Sequence, residues 1–470
     1  MMSSGMREER IEEVGVADMM MAREARYHMQ RAMLARYPGA SLVCLTMNIA
    51  GPVKRTPLIA RAFAWGDEAV GALLGGRAVV FHAAISEKTG PESVYVVSGD
   101  AKGIKRRLCS LEDGSAMGRL LDVDVIAPDG EKISRTDIGM PPRKCLLCGQ
   151  DAPVCARART HTAAELFARA NEIMDGHFQK AYAERIAQAA QRALLYEVAI
   201  TPKPGLVDRA NAGAHSDMDV FTFIDSACAL RGYFETCARI GMAHRGGEPS
   251  VCFDALRGPG MLAEAAMSRA TEGVNTHKGA VFSLGVYAAS LGMGEEDEAA
   301  EAALLRCGAM TRDRMREELE AICRREAETF GEAIYQSSGV GGVRAEAAAG
   351  FACVRESGLV RLRAALRAGL HLNDAGLCAL ISLMARTEDT NCVRRGGAQA
   401  AADFRSRARA MDARILEAVS SGTLLQAFGQ IRAELAAWDG EIAQGGISPG
   451  GSADMLALTM FAHFMDGNRY

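Results

Sequence analysis

TPKPGLVDRANAGAHSDMD, Thr201 to Asp219, is the stretch on which the reading of this chain turns. It holds two prolines, a lysine, two glycines, three aspartates and a histidine. Before it stands ERIAQAAQRALLYEVAI and after it FTFIDSACALRGYFETCARI, both with apolar residues at helical spacing. The polar segment is therefore a loop between two buried helices, and a loop of that composition has either a turn to make or a chemical task.

Helical periodicity continues from about Thr162 to the C-terminus, where strand signals nearly vanish. Upstream the pattern changes. A long helix is expected from Arg7 to about Tyr37, then short β-like runs, SLVCLTMNI, AVVFHAAI, SVYVVSG and LLDVDVIA, separated by Gly, Pro and charged turns. The expected fold is an α/β (α+β) module over residues 1–165 followed by an all-α helical module over residues 166–470. A length of 470 residues suits two or three cores better than one. The seam near HTAAELFARANEIMDGHFQKA lacks a Gly/Pro/Ser tract and reads as a helix.

A hydrophobic content of 49% supports packed globules, and a net charge of −4 gives no general pull toward nucleic acid or an anionic membrane. Phosphate recognition, if present, has to be local. Thirteen cysteines, an odd number scattered through helical-looking segments, fit a reducing compartment better than a disulfide framework. The N-terminus lacks the apolar core of a signal peptide, and no apolar run is long enough to span a bilayer. The expected location is the cytoplasm.

In the first module the segment with most chemistry is GSAMGRLLDVDVIAP, Gly114 to Pro128. On a strand, Asp122 and Asp124 project from one face, where paired carboxylates can hold Mg²⁺ against a triphosphate. An upstream Gly-Ser can offer backbone N–H groups to phosphates. That is nucleotidyltransferase-like logic; the plain alternative is a solvated strand edge. NIAGPVKRTP sets Lys54 and Arg55 where the first strand ends, as a phosphate site or a surface turn. RKCLLCGQDAPVCARARTH holds Cys145, Cys148, Cys155 and His161, a set able to close a tetrahedral zinc site. The gaps are short for a standard finger, so simple buried thiols are the favoured reading there.

In the helical module the opening loop has company. EGVNTHKGAVFSLG places His277 and Lys278 at a helix start, the end that prefers anions. EDTNCVRRGG brings Asp389, Asn391, Arg394 and Arg395, and ISPGGSADMLA brings Ser448, Gly450, Gly451, Ser452 and Asp454. Singly, each reads equally as N-caps and C-caps; together, four polar loop-to-helix junctions can converge at one end of a bundle. There aspartates would bind Mg²⁺ while Lys, Arg and backbone amides take phosphates.

EVAITPKPGLVDRANAGAHSDMD, GVNTHKGAVFSLG and SPGGSADMLA together resemble the triphosphoribosyl-dephospho-CoA synthase family. TMNIAGPVKR, LLDVDVIAPDGEKISR and RKCLLCGQDAPVCARARTH resemble the apo-citrate lyase phosphoribosyl-dephospho-CoA transferase family, also called the citrate lyase holo-acyl-carrier-protein synthase. The resemblances cover nearly the whole chain and imply a fused, bifunctional enzyme. They imply that the C-terminal half joins ATP to 3′-dephospho-CoA with release of adenine. The N-terminal half would then move phosphoribosyl-dephospho-CoA onto a serine of the apo acyl carrier subunit of citrate lyase, releasing pyrophosphate.

Displacing adenine while keeping the triphosphate requires a phosphate clamp, a base near the attacking hydroxyl and an acid near the purine. Lys203 suits the clamp, and its removal is expected to weaken ATP binding without disturbing the fold. Asp217 and Asp219, with Asp208, suit Mg²⁺ or base roles, and His215 or His277 proton transfer. In GVGGVRAEAAAGF, Ala345 stands between Arg344 and Glu346 where the family pattern has a glycine. The competing reading is a metal-dependent nucleotide hydrolase or N-glycosidase with a carrier-docking domain, or the equivalent system for malonate decarboxylase.

Overall fold

A computed structural model of the chain describes residues 12–76, 78–328, 330–339 and 341–466. The chain divides, within its longest helix, into two compact units, Met1–Lys180 and Ala181–Tyr470.

The first unit is built on a sheet in which all pairings are antiparallel. Helix α1 (Val16–Arg36) precedes β1 (Ser41–Met47); α2 (Pro57–Leu74) leads to the hairpin of β2 (Val79–Glu87) and β3 (Gly90–Val97). Then come α3 (Ala101–Asp113), β4 (Leu121–Ile126), β5 (Lys132–Ile133), the short α4 (Ala152–Ala158) and α5 (Ala163–Ala199). The strand order is β2-β3-β1-β4-β5. Alternation along the strands sends Val43, Leu45, Tyr95, Val97, Val123 and Val125 to one face, against Phe63, Val70 and Leu74 of α2 and Ile104 and Leu108 of α3. Leu42, Cys44, Val94, Val96 and Ile126 go to the other, against Met29, Met33 and Leu34 of α1. Each such buried Leu, Val or Ile contributes roughly 1.5–3 kcal/mol, which is why the register is fixed. Residues 7–11 of the expected first helix lie outside the described residues. The described helix starts at Val16 because Glu13 is bridged to Val53 and Gly15 supplies a non-helical N-cap.

In the second unit every regular element among the described residues is a helix. Its helices are α6 (Val220–Ala243), α7 (Pro249–Ala255), α8 (Arg257–Ala270), α9 (Lys278–Met293), α10 (Ala300–Ile322), α11 (Phe330–Ser338) and α12 (Gly342–Ala348). There follow α13 (Leu359–Arg367), α14 (Leu372–Arg386), α15 (Thr390–Ser420), α16 (Leu424–Gly445) and α17 (Gly450–Met465). In α9, α14 and α17 most residues are buried, so these helices form the centre of the bundle. Helices α6 and α9 touch backbone to backbone. A Cβ on Gly241 would lie 2.0 Å from Ala289 O, and one on Gly292 would lie 2.1 Å from Ala238 O. That contact fixes the start of α9, with His277 and Lys278, relative to Ser226 on α6.

Candidate active sites

In the helical unit the four loop-to-helix junctions line one cavity of about 300 Å³. The Thr201–Asp219 loop contributes Lys203 and His215, and the start of α9 contributes His277 and Lys278. The start of α15 brings Asp389, Asn391, Arg394 and Arg395; the start of α17 brings Ser448, Gly450, Gly451 and Asp454. Glu197, in the last turn of α5, Glu346 of α12 and Glu388, next to Asp389, complete the acidic part of the wall.

The composition of the opening loop is largely explained by how it is held. Buried Asp208 accepts hydrogen bonds from the N–H groups of Lys203 (2.8 Å), Ala210 (2.6 Å) and Asn211 (3.1 Å). Asp439 of α16 accepts from Gly205 N (3.0 Å) and Asn211 Nδ2 (2.7 Å). Gly205 takes φ +74° with Ile447 O 2.4 Å from where a Cβ would stand, so no other residue fits. These contacts order a loop that would otherwise have many conformations, and they present Lys203 and His215 to the cavity.

Lys203 is 1% exposed and its Nζ donates to Glu197 O (2.7 Å) and to the Glu197 carboxylate. Burial pushes the Glu197 carboxyl above its ordinary range, against the pull of Lys203. The expectation that Lys203 can be removed without disturbing the fold is corrected on this point: its ammonium is the counter-ion of a buried acid.

Burial lowers the pKa of both cavity histidines. Burial, then Arg395, lowers the pKa of His215. Arg395 Nη2 donates to Nδ1 (3.1 Å), so the proton sits on Nε2 and is given to Ser448 Oγ (2.9 Å). The Ser448 hydroxyl proton is then left for a ligand. For His277, Thr276 Oγ1 donates to Ser226 Oγ (2.8 Å), and the Ser226 hydroxyl lies 2.6 Å from Nδ1. With Ser226 donating onward, Nδ1 is the acceptor and the proton stands on Nε2, which is buried without a partner among the described residues. Burial pushes the His277 pKa down to about 3, so the ring is a neutral donor.

Asp389 caps α15 and ties it to α17, accepting from Asn391 N (2.9 Å) and Ser452 N (2.9 Å). Asp454 sits so close to the first turn of α9 that a Cβ on Gly279 would lie 2.0 Å from its Oδ2. Enclosure by protein raises the pKa of both aspartates, and for Asp454 the nearby Glu197 and Asp389 raise it further. Mutually repelling carboxylates held together in a cavity wall are a hard-oxygen donor set.

Of the residues expected from sequence, the cavity wall thus includes Lys203, His215, His277, Lys278, Asn391, Arg394, Ser448, Gly450 and Gly451. Asp208, Asp217, Asp219 and Ser452 are not on it. Asp219 caps α6, accepting from Thr222 N (3.0 Å) at the surface. Asp217 is 61% exposed, 3.8 Å from His215 Nδ1. Asp389 and Asp454, named at their junctions from sequence, are on the wall too; Glu197 and Glu346 were given no site role, although both stand inside the motifs quoted above. Arg344 faces away from them, lining a separate cavity of about 690 Å³ and lying 3.7 Å from Glu318.

In the first unit Asp122 and Asp124 share a face of β4, opposite Thr46 and Cys44 of β1. Asp124 pairs with Lys132 (2.6 Å), and Asp122 lies 3.6 Å from Arg143 Nη2. Arg143 is held from behind: it donates to Leu121 O (2.9 Å) and pairs with the fully buried Glu112, which also accepts from Val123 N (3.0 Å) and binds Arg135 (3.2 Å). Ser115 Oγ accepts from Gly118 N (2.9 Å), so the Gly-Ser step caps the turn before β4. Lys54 donates to Ile49 O, and burial, then Arg23, lowers its pKa; Arg55 is exposed. The loop carrying both leaves β1 beside Leu120, at the end of the sheet where Asp122 stands. Cys145, Cys148, Cys155 and His161 come together, their ligand atoms within 4.8 Å of one another. Among the described residues no helix is long and apolar enough to cross a membrane.

Comparison with known proteins agrees with this division. The family described as ATP:dephospho-CoA triphosphoribosyl transferase matches residues 183–470, and that described as apo-citrate lyase phosphoribosyl-dephospho-CoA transferase matches residues 14–177. A Haemophilus influenzae relative named Protein CitXG is 32% identical over 460 residues, 95% of each chain. One of the same name from Leuconostoc mesenteroides subsp. cremoris is 34% identical over 80% of this chain and 82% of its own. A probable 2-(5″-triphosphoribosyl)-3′-dephosphocoenzyme-A synthase of Streptococcus equi subsp. zooepidemicus is 35% identical over 60% of this chain and 96% of its own. The chain belongs to the ATP:dephospho-CoA triphosphoribosyl transferase family, in the form fused behind an apo-citrate lyase phosphoribosyl-dephospho-CoA transferase half, and is a bifunctional transferase of citrate lyase prosthetic-group biosynthesis.

Proposed function

We propose that the helical unit makes 2′-(5″-triphosphoribosyl)-3′-dephospho-CoA in the junction-lined cavity, and that the first unit transfers its phosphoribosyl-dephospho-CoA part to the apo acyl carrier subunit of citrate lyase. The observation that carries the reading is the cavity itself, where helix starts, Lys and Arg side chains, carboxylates and the His277 imidazole line one wall. Arg394, Lys278, the Ser448 hydroxyl and the first N–H groups of α17 suit a triphosphate. Asp389 and Asp454 would hold Mg²⁺ entering with ATP, which supplies charge neutralisation at the phosphates.

In the reaction the 2′-hydroxyl of dephospho-CoA forms a bond to C1′ of the ATP ribose as the C1′–N9 bond breaks. Glu346, which accepts from Cys353 N (3.2 Å) and lines the cavity, is placed to take the hydroxyl proton. His277 Nε2–H donates to the ring nitrogen on which charge grows as adenine leaves. Lys203 acts behind Glu197 as a positioning residue, and Asp208 shapes the loop.

For the second step the proposal keeps Asp122 and Asp124 as the Mg²⁺-holding pair of a nucleotidyltransferase-like site, with Arg143, Lys54 and Arg55 toward the phosphates. The carrier serine oxygen bonds to the phosphorus nearest the ribose, its proton passes to a carboxylate or water, and pyrophosphate leaves. The family match of residues 14–177 supports the citrate lyase carrier over the malonate decarboxylase one.

Chromatography of the reaction mixture tests the first step. Adenine is expected only when ATP and dephospho-CoA are both present, one adenine for each triphosphoribosyl adduct. Adenine released from ATP alone at a comparable rate would make the helical unit a hydrolase.

A further inference from the structure

We infer that Cys145, Cys148, Cys155 and His161 bind a structural Zn²⁺ in the first unit. The sequence reading favoured separate thiols because the gaps are short for a finger. The structure removes that objection. Lys144 and Asp151 form a bridge that folds the Cys145–Cys148 turn back on itself, with Cys145 N donating to Gln150 O (2.8 Å). Helix α4 then carries Cys155, and its C-cap Arg159, at φ 51°, turns the chain so that His161 returns to the cysteines. A non-glycine residue in the left-handed region is uncommon, and here it serves to bring the fourth donor back.

The spacing of the donors fits the ion. Zn–S bonds of about 2.3 Å in a tetrahedron put sulfurs roughly 3.8 Å apart. Cys155 Sγ lies 3.5 Å from Cys145 Sγ and 4.0 Å from Cys148 Sγ. Leu147 N points to Cys145 Sγ at 3.5 Å, a backbone N–H directed at a sulfur that would carry thiolate charge. His161 Nε2 is buried with no hydrogen-bond partner among the described residues. Three thiolates, one imidazole and Zn²⁺ leave a single net negative charge, and Lys144, Arg157 and Arg159 stand in the same segment to offset it.

Four protein ligands leave no open position, so the ion is structural rather than catalytic. It would pin the segment whose first residues reach the transferase site. Arg143 touches Asp122, and Arg119 donates to Lys144 O. Zinc thereby positions Arg143 within the first unit.

The test is metal analysis of the full-length chain, purified under reducing conditions without chelator. About one zinc per chain is expected, released by a thiol-blocking reagent, and Co²⁺ in its place should show the intense absorption of tetrahedral thiolate coordination. Cys148→Ser with His161→Ala should lose the metal and carrier modification while adenine release persists, which reports that the helical unit is intact; far-UV circular dichroism reads the fold of the first. Zinc at trace level in wild-type protein from zinc-replete cells, with no cobalt spectrum after reconstitution, would overturn the site. That outcome bears only on the metal; failure of carrier modification in zinc-loaded protein would instead count against the proposed transfer reaction.

Discussion

Asp454→Asn is expected to lower adenine release by about 100-fold or more while leaving the helical unit at least as stable as before. The side chain lies against Gly279 in a space where even a Cβ would not fit, and an amide has nearly the volume of a carboxyl. Its enclosure and the fields of Glu197 and Asp389 make a charge there costly, so a neutral amide relieves repulsion. An amide is also a poor ligand for a hard cation, so the step that depends on Mg²⁺ and ATP phosphates should fail. Gain of stability with loss of activity is the signature of a residue kept for chemistry. Asp219→Asn is the contrast: asparagine caps a helix as well as aspartate does, and adenine release should stay within about twofold of wild type. Similar rates for the two variants at limiting Mg²⁺ would remove Asp454 from the site.

Lys203→Ala should destabilise the helical unit by about 3–5 kcal/mol, measured by urea denaturation. The cause is the acid left behind. Glu197 is buried and already pushed toward its neutral form, and without Lys203 it has no counter-ion at hydrogen-bond distance among the described residues. Lys203→Met combined with Glu197→Gln should recover most of the loss, because removing both charges removes the unpaired one. A stable Lys203→Ala chain with weakened ATP binding would restore the simpler reading, in which the lysine does no more than contact phosphate.

The sequence was most informative where local physics decides the outcome. β1 and β4 lie within the expected runs, and β2 and β3 overlap theirs, because Val, Ile and Leu alternate there between turns. Helices α2 and α3 were overlooked, although Thr56 ahead of Pro57 and Asp100 ahead of Ala101 are N-cap signals that the structure uses. The four polar junctions were visible as junctions. Their carboxylates were harder to sort, since an aspartate that caps a helix, such as Asp219, and one that faces a ligand, such as Asp454, have the same sequence appearance. Glu197 sits at the end of a long helix and reads as an ordinary surface acid; only the tertiary approach of Lys203 and Asp454 makes it part of a site. The gathering of Cys145, Cys148, Cys155 and His161 was not legible in their spacing because the turn at Arg159, which shortens the path to His161, has no sequence signal of its own.

The central claim is that two separate sites act in sequence, and the Asp122→Asn, Asp124→Asn double variant tests it most directly. Full-length protein would be incubated with ATP, dephospho-CoA and apo carrier, with adenine read by chromatography and the carrier by intact mass. Coordination to a metal acts over a few ångströms, so loss of the pair on β4 should not reach the carboxylates of the helical unit. The account predicts adenine release near the wild-type rate, accumulation of the adduct with its triphosphate intact, and no gain in carrier mass. Loss of both activities in a folded double variant would contradict it and require one shared site.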